Sequence, residues 1–148
     1  MDRKMAFAMF EKIAEETDFA HAENIVGYCF YSGKGVEQNL AKAVEWYTKA
    51  AEKGNSTAMN NLGYCFEKGK GVEQNVTKAV EWYTKAAEKG DSAAMNNLGY
   101  CFDKGEGVEQ NLAKALEWYT KAQDAGDDDA GARINAIRER LQYNAFEH

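Results

Sequence analysis

The hydrophobic positions of this chain recur at helical spacing, and the whole pattern returns every 36 residues. In one period, apolar side chains four residues apart predict a first helix near 56–68. A second apolar stripe, at positions i, i+3, i+4 and i+7, predicts the buried face of a second helix that ends near residue 89. The two stripes consist of Ala58, Leu62 and Phe66, and of Ala79, Trp82, Tyr83 and Ala86.

The period is visible in the letters of the sequence. Two motifs mark it, GYCF at 27–30, 63–66 and 99–102, and WYTKA at 46–50, 82–86 and 118–122. Cut at the glycines, the predicted units are 19–54, 55–90 and 91–126. The second and third units are identical at 26 of 36 positions, which indicates a recent duplication or a consensus-style design. Within a unit, Gly69 suits the left-handed end of the first helix, and Asn75 suits the N-cap of the second.

The segments before and after the three units continue the same repeat pattern. Residues 2–17 align with the second helix of a unit, and residues 128–143 align with the first helix of a fourth unit. Both depart from the pattern and carry more charge, as expected of helices that cap the apolar ends of a solenoid. We therefore predict eight helices in one all-α domain over 1–148, with capping helices at 1–18 and 127–148.

The unit resembles the Sel-1-like repeat, a relative of the tetratricopeptide repeat. In the second unit, the matching residues are Ala58, Leu62, Gly63, Phe66, Gly69, Gly71, Val72, Asn75, Lys78, Ala79, Trp82, Tyr83, Lys85, Ala86, Ala87 and Gly90. The resemblance covers all three units, the first more loosely, and both flanks in weaker form. It implies an α-solenoid, a right-handed superhelix of stacked antiparallel helix pairs, and a scaffold or adaptor role in signalling, secretion or protein quality control.

The resemblance also leaves other functions open. A cysteine-rich bacterial branch of the family has been linked to penicillin binding and β-lactam hydrolysis, and it carries two cysteines per unit, eight residues apart. The corresponding positions here hold Ala51 with Met59, and Ala87 with Met95. We therefore expect a non-catalytic scaffold. A β-lactam-binding or β-lactam-hydrolysing protein is one alternative, and a designed consensus protein without natural function is another.

Composition and charge narrow the range of partners. The chain has 148 residues, of which 45% are apolar, the share of an ordinary globular domain. Its 18 basic residues are interleaved with 24 acidic ones, for a net charge of −6, which argues against nucleic acid. No apolar run reaches the roughly 18 residues of a membrane-spanning helix. We expect a cytoplasmic monomer, or a periplasmic or secreted one if a signal peptide was removed, that binds a protein or peptide and no membrane.

Few residues are candidates for catalysis, metal binding or redox chemistry. Cys29, Cys65 and Cys101 share one position of the repeat, where stacked helices lie about 8–10 Å apart, beyond the roughly 7 Å limit of a disulfide. We interpret them as small core residues, with a metal or redox site as the alternative. His21 and His148 have no partner at ligand spacing. We predict no catalytic residue, no cofactor and no metal, although a pair of surface carboxylates stays an alternative.

One face of the first helices carries recurring polar residues that packing of the core does not require. On a helical wheel, Asn60, Tyr64 and Glu67 lie opposite the apolar stripe, and the period repeats this face on the other first helices. We predict that this concave face binds an extended peptide, because amides pair with backbone and tyrosines serve as anchors. Polar filler, or residues copied by duplication alone, is the alternative. The predicted contact residues are Asn24, Tyr28, Tyr31, Asn60, Tyr64, Glu67, Asn96, Tyr100 and Asp103.

Overall fold

The computed structural model describes residues 2–147, and this range contains eight helices and no strand. The helices are α1 Arg3–Glu16, α2 Ala20–Ser32, α3 Leu40–Glu52, α4 Ser56–Lys68, α5 Val76–Glu88, α6 Ser92–Lys104, α7 Leu112–Asp124 and α8 Ala130–Glu147. The predicted all-α class and the eight predicted helices are confirmed. None of the helices within residues 2–147 combines the length and the apolar character that a membrane crossing requires.

The helices form two compact units, one ending at Asn75 and the other beginning at Val76. In the first unit, α2 packs on α1 and α3, and α3 packs on α4. The second unit repeats this order, with α6 on α5 and α7, and α7 on α8. Each helix therefore covers its apolar face with the helix that precedes or follows it in the chain.

Local sequence signals set the ends of the helices. The side chains of Asn39 and Asn111 accept hydrogen bonds from the backbone N–H groups of Lys42 and Lys114, at 3.1 and 3.0 Å. These asparagines share the repeat position of Asn75, so the predicted capping chemistry is confirmed at both of these positions. Gly69 ends α4 with φ +67°, a left-handed conformation that suits glycine.

A second glycine of each turn brings two backbone segments together. A Cβ atom added to Gly71 would lie 2.2 Å from the carbonyl oxygen of Leu40, at the start of the preceding second helix. The same added atom at Gly35 would lie 2.1 Å from the carbonyl oxygen of Arg3. Any side chain at this position would collide with backbone, so the contact requires glycine.

Tyrosine, rather than tryptophan, fills the core of the second helices. Tyr47, Tyr83 and Tyr119 are at most 2% exposed. The expectation that Trp82 shares this buried stripe is wrong, because Trp82 is only half-buried, with Lys85 Nζ 4.6 Å from its ring centroid. The buried arc of α5 also includes Val80 and Ala87. These two residues shift the centre of the arc away from Trp82, which leaves the indole at its edge; Trp46 and Trp118 are half-buried in the same way.

The terminal helices pack as the phase of the repeat predicts. Ala130 and Ile134 of α8 are buried, together with Ile137. In α1, Phe7 is buried and meets Phe30 of α2 edge to face, with ring centroids 5.3 Å apart. The two flanks therefore cover apolar surface of the neighbouring repeats.

Candidate functional site

The tyrosines predicted as anchors form the exposed part of the polar face. Tyr28 on α2, Tyr64 on α4 and Tyr100 on α6 are 45%, 39% and 41% exposed. Each follows the glycine of a GYCF motif, and Gly27 and Gly63 are buried. Since successive residues of a helix point about 100° apart, each tyrosine can reach solvent although the glycine before it faces the core.

Predicted asparagines of the polar face already have partners within the chain. Asn24 is only 8% exposed, and the Asn61 amide donates to its side-chain oxygen over 3.1 Å. Asn96 is half-buried and accepts a hydrogen bond from Arg133 over 3.4 Å. Asn60 is also half-buried. Pairing of these amides with a peptide backbone stays a prediction, and the ligand would have to share or exchange the existing contacts.

Tyrosines of the first compact unit surround a cavity of about 220 Å³, which we call the tyrosine pocket. Its lining consists of Tyr28, Tyr31, Tyr47, Asn61 and Tyr64. Burial raises the pKa of Tyr31 and of Tyr47, so both phenols are neutral at neutral pH. The pocket therefore offers aromatic surface and uncharged polar atoms.

A cation of the same chain lies beside the tyrosine pocket. Lys34 Nζ is 4.8 Å from the ring centroid of Tyr28 and donates to its hydroxyl oxygen over 3.0 Å. Lys34 itself is exposed. The face of an aromatic ring is negative and attracts cations, so the ring and the hydroxyl oxygen of Tyr28 both help to hold this ammonium group.

The two predicted acidic residues of the face have cationic partners. Glu67 is 8% exposed, and Lys68 Nζ lies 3.1 Å from its carboxylate. Asp103 forms an ion pair and a hydrogen bond with Arg140 of α8. Both carboxylates are therefore less available to a basic ligand than the sequence pattern indicates.

In the second unit, an arginine of the C-terminal helix covers a core tyrosine. The guanidinium carbon of Arg133 lies 5.9 Å from the ring centroid of Tyr119. Two periods of 36 residues separate Arg133 from Asn61, and Tyr119 from Tyr47. Burial, followed by the charge of Asp103, raises the pKa of Tyr119 to about 12, while Arg133 acts in the opposite direction. One unit thus has an arginine where the other has a shorter asparagine.

The three cysteines are free thiols. Cys65 and Cys101 are 1% exposed, as predicted for core residues, whereas Cys29 is half-buried. Burial raises the pKa of Cys65 to about 11 and also raises that of Cys29. His21 is exposed, and His148 lies outside the described residues. Within residues 2–147, no three His, Cys, Asp or Glu side chains come together as a metal site requires.

One ion pair, between a buried carboxylate and an exposed lysine, has no counterpart in the other units. Glu23 is 2% exposed, and Lys53 donates to its carboxylate over 2.7 Å, which raises the pKa of the lysine. Both residues line a cavity of about 430 Å³ that also contacts Trp46. The repeat itself carries the signal, because the units that follow have Met59 and Met95 at the position of Glu23. A charged residue at a buried methionine position marks a feature of the first unit alone.

A family model described as Sel1 repeat matches residues 2–18, 20–55, 56–91 and 92–127. The three longer matches begin one residue after the unit boundaries predicted from the glycines. The short match lies within the predicted N-terminal capping helix. No curated protein matches the chain significantly.

Three solved structures are similar to the chain. A Sel1 repeat protein from Oxalobacter formigenes is 42% identical over 81% of this chain and 49% of its own, with a TM-score of 0.78. A protective antigen present in uropathogenic Escherichia coli strains, displaying an SLR fold, is 32% identical over 92% of this chain and 29% of its own, with a TM-score of 0.87.

The third is the cysteine rich protein B of Helicobacter pylori, which is 26% identical over 84% of this chain and 93% of its own, with a TM-score of 0.68. The chain thus spans about half the length of the first relative and about three tenths of the second. The predicted helical solenoid class is confirmed by these structures.

Proposed function

The chain belongs to the Sel1 repeat family, and on that premise we propose that it is a non-catalytic scaffold that binds a protein or peptide. Proteins of this family typically act as protein-interaction scaffolds. The proposed contact surface is the polar face of the first helices, with the tyrosine pocket as its anchor in the first unit. Tyr100 and its neighbours provide further contact in the second unit.

The observation that carries this proposal is the exposure of tyrosine at one repeated position. Tyr28, Tyr64 and Tyr100 leave 39–45% of their surface in water, although the fold gains nothing from exposed aromatic area. Tyrosine loses little conformational entropy on binding and offers both apolar surface and a hydroxyl group. Tyrosine is accordingly enriched in protein interfaces. The cavity of about 220 Å³ beside Tyr28 and Tyr64 adds a recess for a partner side chain.

The β-lactam alternative has no support among the described residues. The positions at which the cysteine-rich branch would carry paired cysteines are Ala51, Met59, Ala87 and Met95, and all four are buried as ordinary core. The alternative of a design without natural function also lacks support, because natural bacterial proteins are similar over most of this chain.

The proposal is tested by affinity capture from a lysate of the source organism, followed by calorimetry with the captured partner. We expect Tyr64→Ala to weaken binding about thirtyfold, because truncation of an interface hot spot typically costs about 2 kcal/mol or more. The triple variant with Tyr28, Tyr64 and Tyr100 changed to alanine should weaken binding further.

The matched control changes another exposed and repeated set, on the second helices, from glutamate to glutamine. These residues are Glu45, Glu81 and Glu117. The control should bind as tightly as the parent chain. Equal affinity of the parent and the triple tyrosine variant would show that the partner binds elsewhere.

A further inference from the structure

We propose that the tyrosine pocket binds the side chain of an arginine in the partner's peptide segment. This inference rests on the proposed function, because it names the residue that the same surface selects. The pocket lies wholly within the first compact unit, between α2, α3 and α4, and its lining includes no charged side chain.

The second unit of the same chain supplies the precedent for an arginine. Arg133 of α8 lies 5.9 Å from the ring centroid of Tyr119 and donates to Asn96 over 3.4 Å. The corresponding pair in the first unit is Asn61 and Asn24, joined over 3.1 Å. The asparagine contact is therefore common to both units, and only one unit adds a guanidinium over the tyrosine.

The difference in side-chain length explains why a cavity lies beside Asn61. Asn61 ends at an amide that is held by Asn24, and it leaves about 220 Å³ of space among the tyrosines. Arg133 carries a longer side chain at the same repeat position and extends over the ring of Tyr119. In the first unit, an arginine from a partner would thus provide the guanidinium group over the tyrosine that Arg133 provides in the second unit.

The chemistry of the pocket suits a guanidinium group. Ring faces attract cations, and the phenol and amide oxygens accept hydrogen bonds. A guanidinium is planar, stacks on aromatic rings, carries five donors and loses its hydration more readily than an ammonium group. The net charge of −6 favours the approach of a cationic peptide. Lys34, at the ring of Tyr28, is an opposing charge at the pocket edge.

The test uses three capped pentapeptides that differ only in the central residue, which is arginine, its neutral isostere citrulline, or glutamate. Binding is measured by nuclear magnetic resonance of chain labelled at its tyrosine rings. We expect the arginine peptide to shift the signals of Tyr28, Tyr31 and Tyr64. It should bind about tenfold more tightly than the citrulline peptide, within the range of a partly desolvated cation–π contact.

Four variants connect the binding to the pocket. Asn61→Arg introduces the residue that the second unit has at the equivalent position, Arg133. The new side chain should fill the pocket and abolish binding of the arginine peptide without unfolding the chain. Tyr64→Leu should weaken binding severalfold, whereas Tyr64→Phe, which keeps the ring, should not. Lys34→Gln removes the competing charge and should strengthen binding of the arginine peptide.

The outcomes separate this inference from the proposed function. If the citrulline or glutamate peptide binds as tightly as the arginine peptide, the arginine preference is wrong, but the surface still binds peptides. If no peptide shifts the tyrosine signals at millimolar concentration, the arginine site is wrong, and capture of a partner by the parent chain decides the proposed function independently. If Lys34→Gln weakens binding, the pocket does not select a cation.

Discussion

Gly27 of α2 lies directly against the ring of Tyr47 on α3. A Cβ atom added to Gly27 would stand 2.7 Å from Cδ1 and 2.9 Å from Cε1 of that ring. Gly99 and Tyr119 repeat the relationship in the second unit, with a closest approach of 2.9 Å. The glycine of the GYCF motif therefore makes room for the aromatic core of the neighbouring helix.

We predict that Gly27→Ala destabilises the fold by about 1–3 kcal/mol, the usual cost of overpacking a core. Alanine in a helix is normally favoured over glycine by about 0.5–1 kcal/mol, so the expected sign is opposite to the helix propensity. The control is Gly131→Ala in α8, where the added atom would meet only the flexible end of Gln123 at 3.4 Å. Urea denaturation should show Gly131→Ala at least as stable as the parent, and equal stabilisation by both substitutions would contradict the prediction.

The difference in burial between Tyr83 and Trp82 predicts which of two neighbouring substitutions destabilises the fold more. Tyr83→Ala should cost about 3–5 kcal/mol, the range for truncation of a buried aromatic residue, because Tyr83 is 0% exposed. Trp82→Ala should cost less, because Trp82 is half-buried and already faces water on one side. Thermal denaturation of the two variants compares them directly. A larger loss for Trp82→Ala would mean that the indole, and not the phenol, holds α5 in place.

The ion pair of the first unit predicts that removing the lysine alone destabilises the fold more than removing both partners does. Lys53→Met should destabilise the fold, because it leaves the buried carboxylate of Glu23 without its cation. Glu23→Met alone, or combined with Lys53→Met, should restore or exceed the parent stability, since Met59 and Met95 fill this position in the other units. A double variant that is less stable than Lys53→Met would contradict this account.

Cys65 predicts a loss of stability in alkaline solution. Its pKa rises from 9.0 to about 11 in the folded chain because the thiol is buried. The folded state therefore favours the neutral thiol, so its stabilising effect is complete below pH 9 and is lost as the pH rises towards 11. Urea denaturation from pH 7 to 11 should show this decline, and Cys65→Ala should decline less between pH 9 and 10. Identical curves for the two proteins would show that other groups cause the loss.

The helices could be predicted from the sequence because their signals are local. The prediction of a helix near 56–68 agrees with Ser56–Lys68, since the apolar stripe and the glycine at its end act within a few residues. The burial of Trp82 was predicted wrongly because the packing of other helices decides which edge of a stripe is covered. A helical wheel contains no information about those neighbours.

The contacts of the candidate site could not be predicted from the period of 36 residues. Hydrogen bonds across the first helices join residues that are 37 apart, as between Asn24 and Asn61, Asn96 and Arg133, and Asp103 and Arg140. Equivalent positions therefore do not face each other, and a ladder drawn at the repeat period misses the actual partners. The exposed tyrosines were found because their orientation depends only on their own helix.

The close approach of Gly71 to Leu40, repeated at Gly35 and Gly107, has a consequence for the evolution of the chain. Backbone atoms make these contacts, so the spacing between a turn and the helix beneath it does not depend on which side chains surround it. Mutation can therefore alter the exposed residues of one repeat without disturbing the backbone contact that positions the next repeat. Duplication or deletion of a whole 36-residue segment likewise adds or removes a complete contact between a turn and a helix, so the number of repeats can change while the remaining repeats keep their backbone contacts.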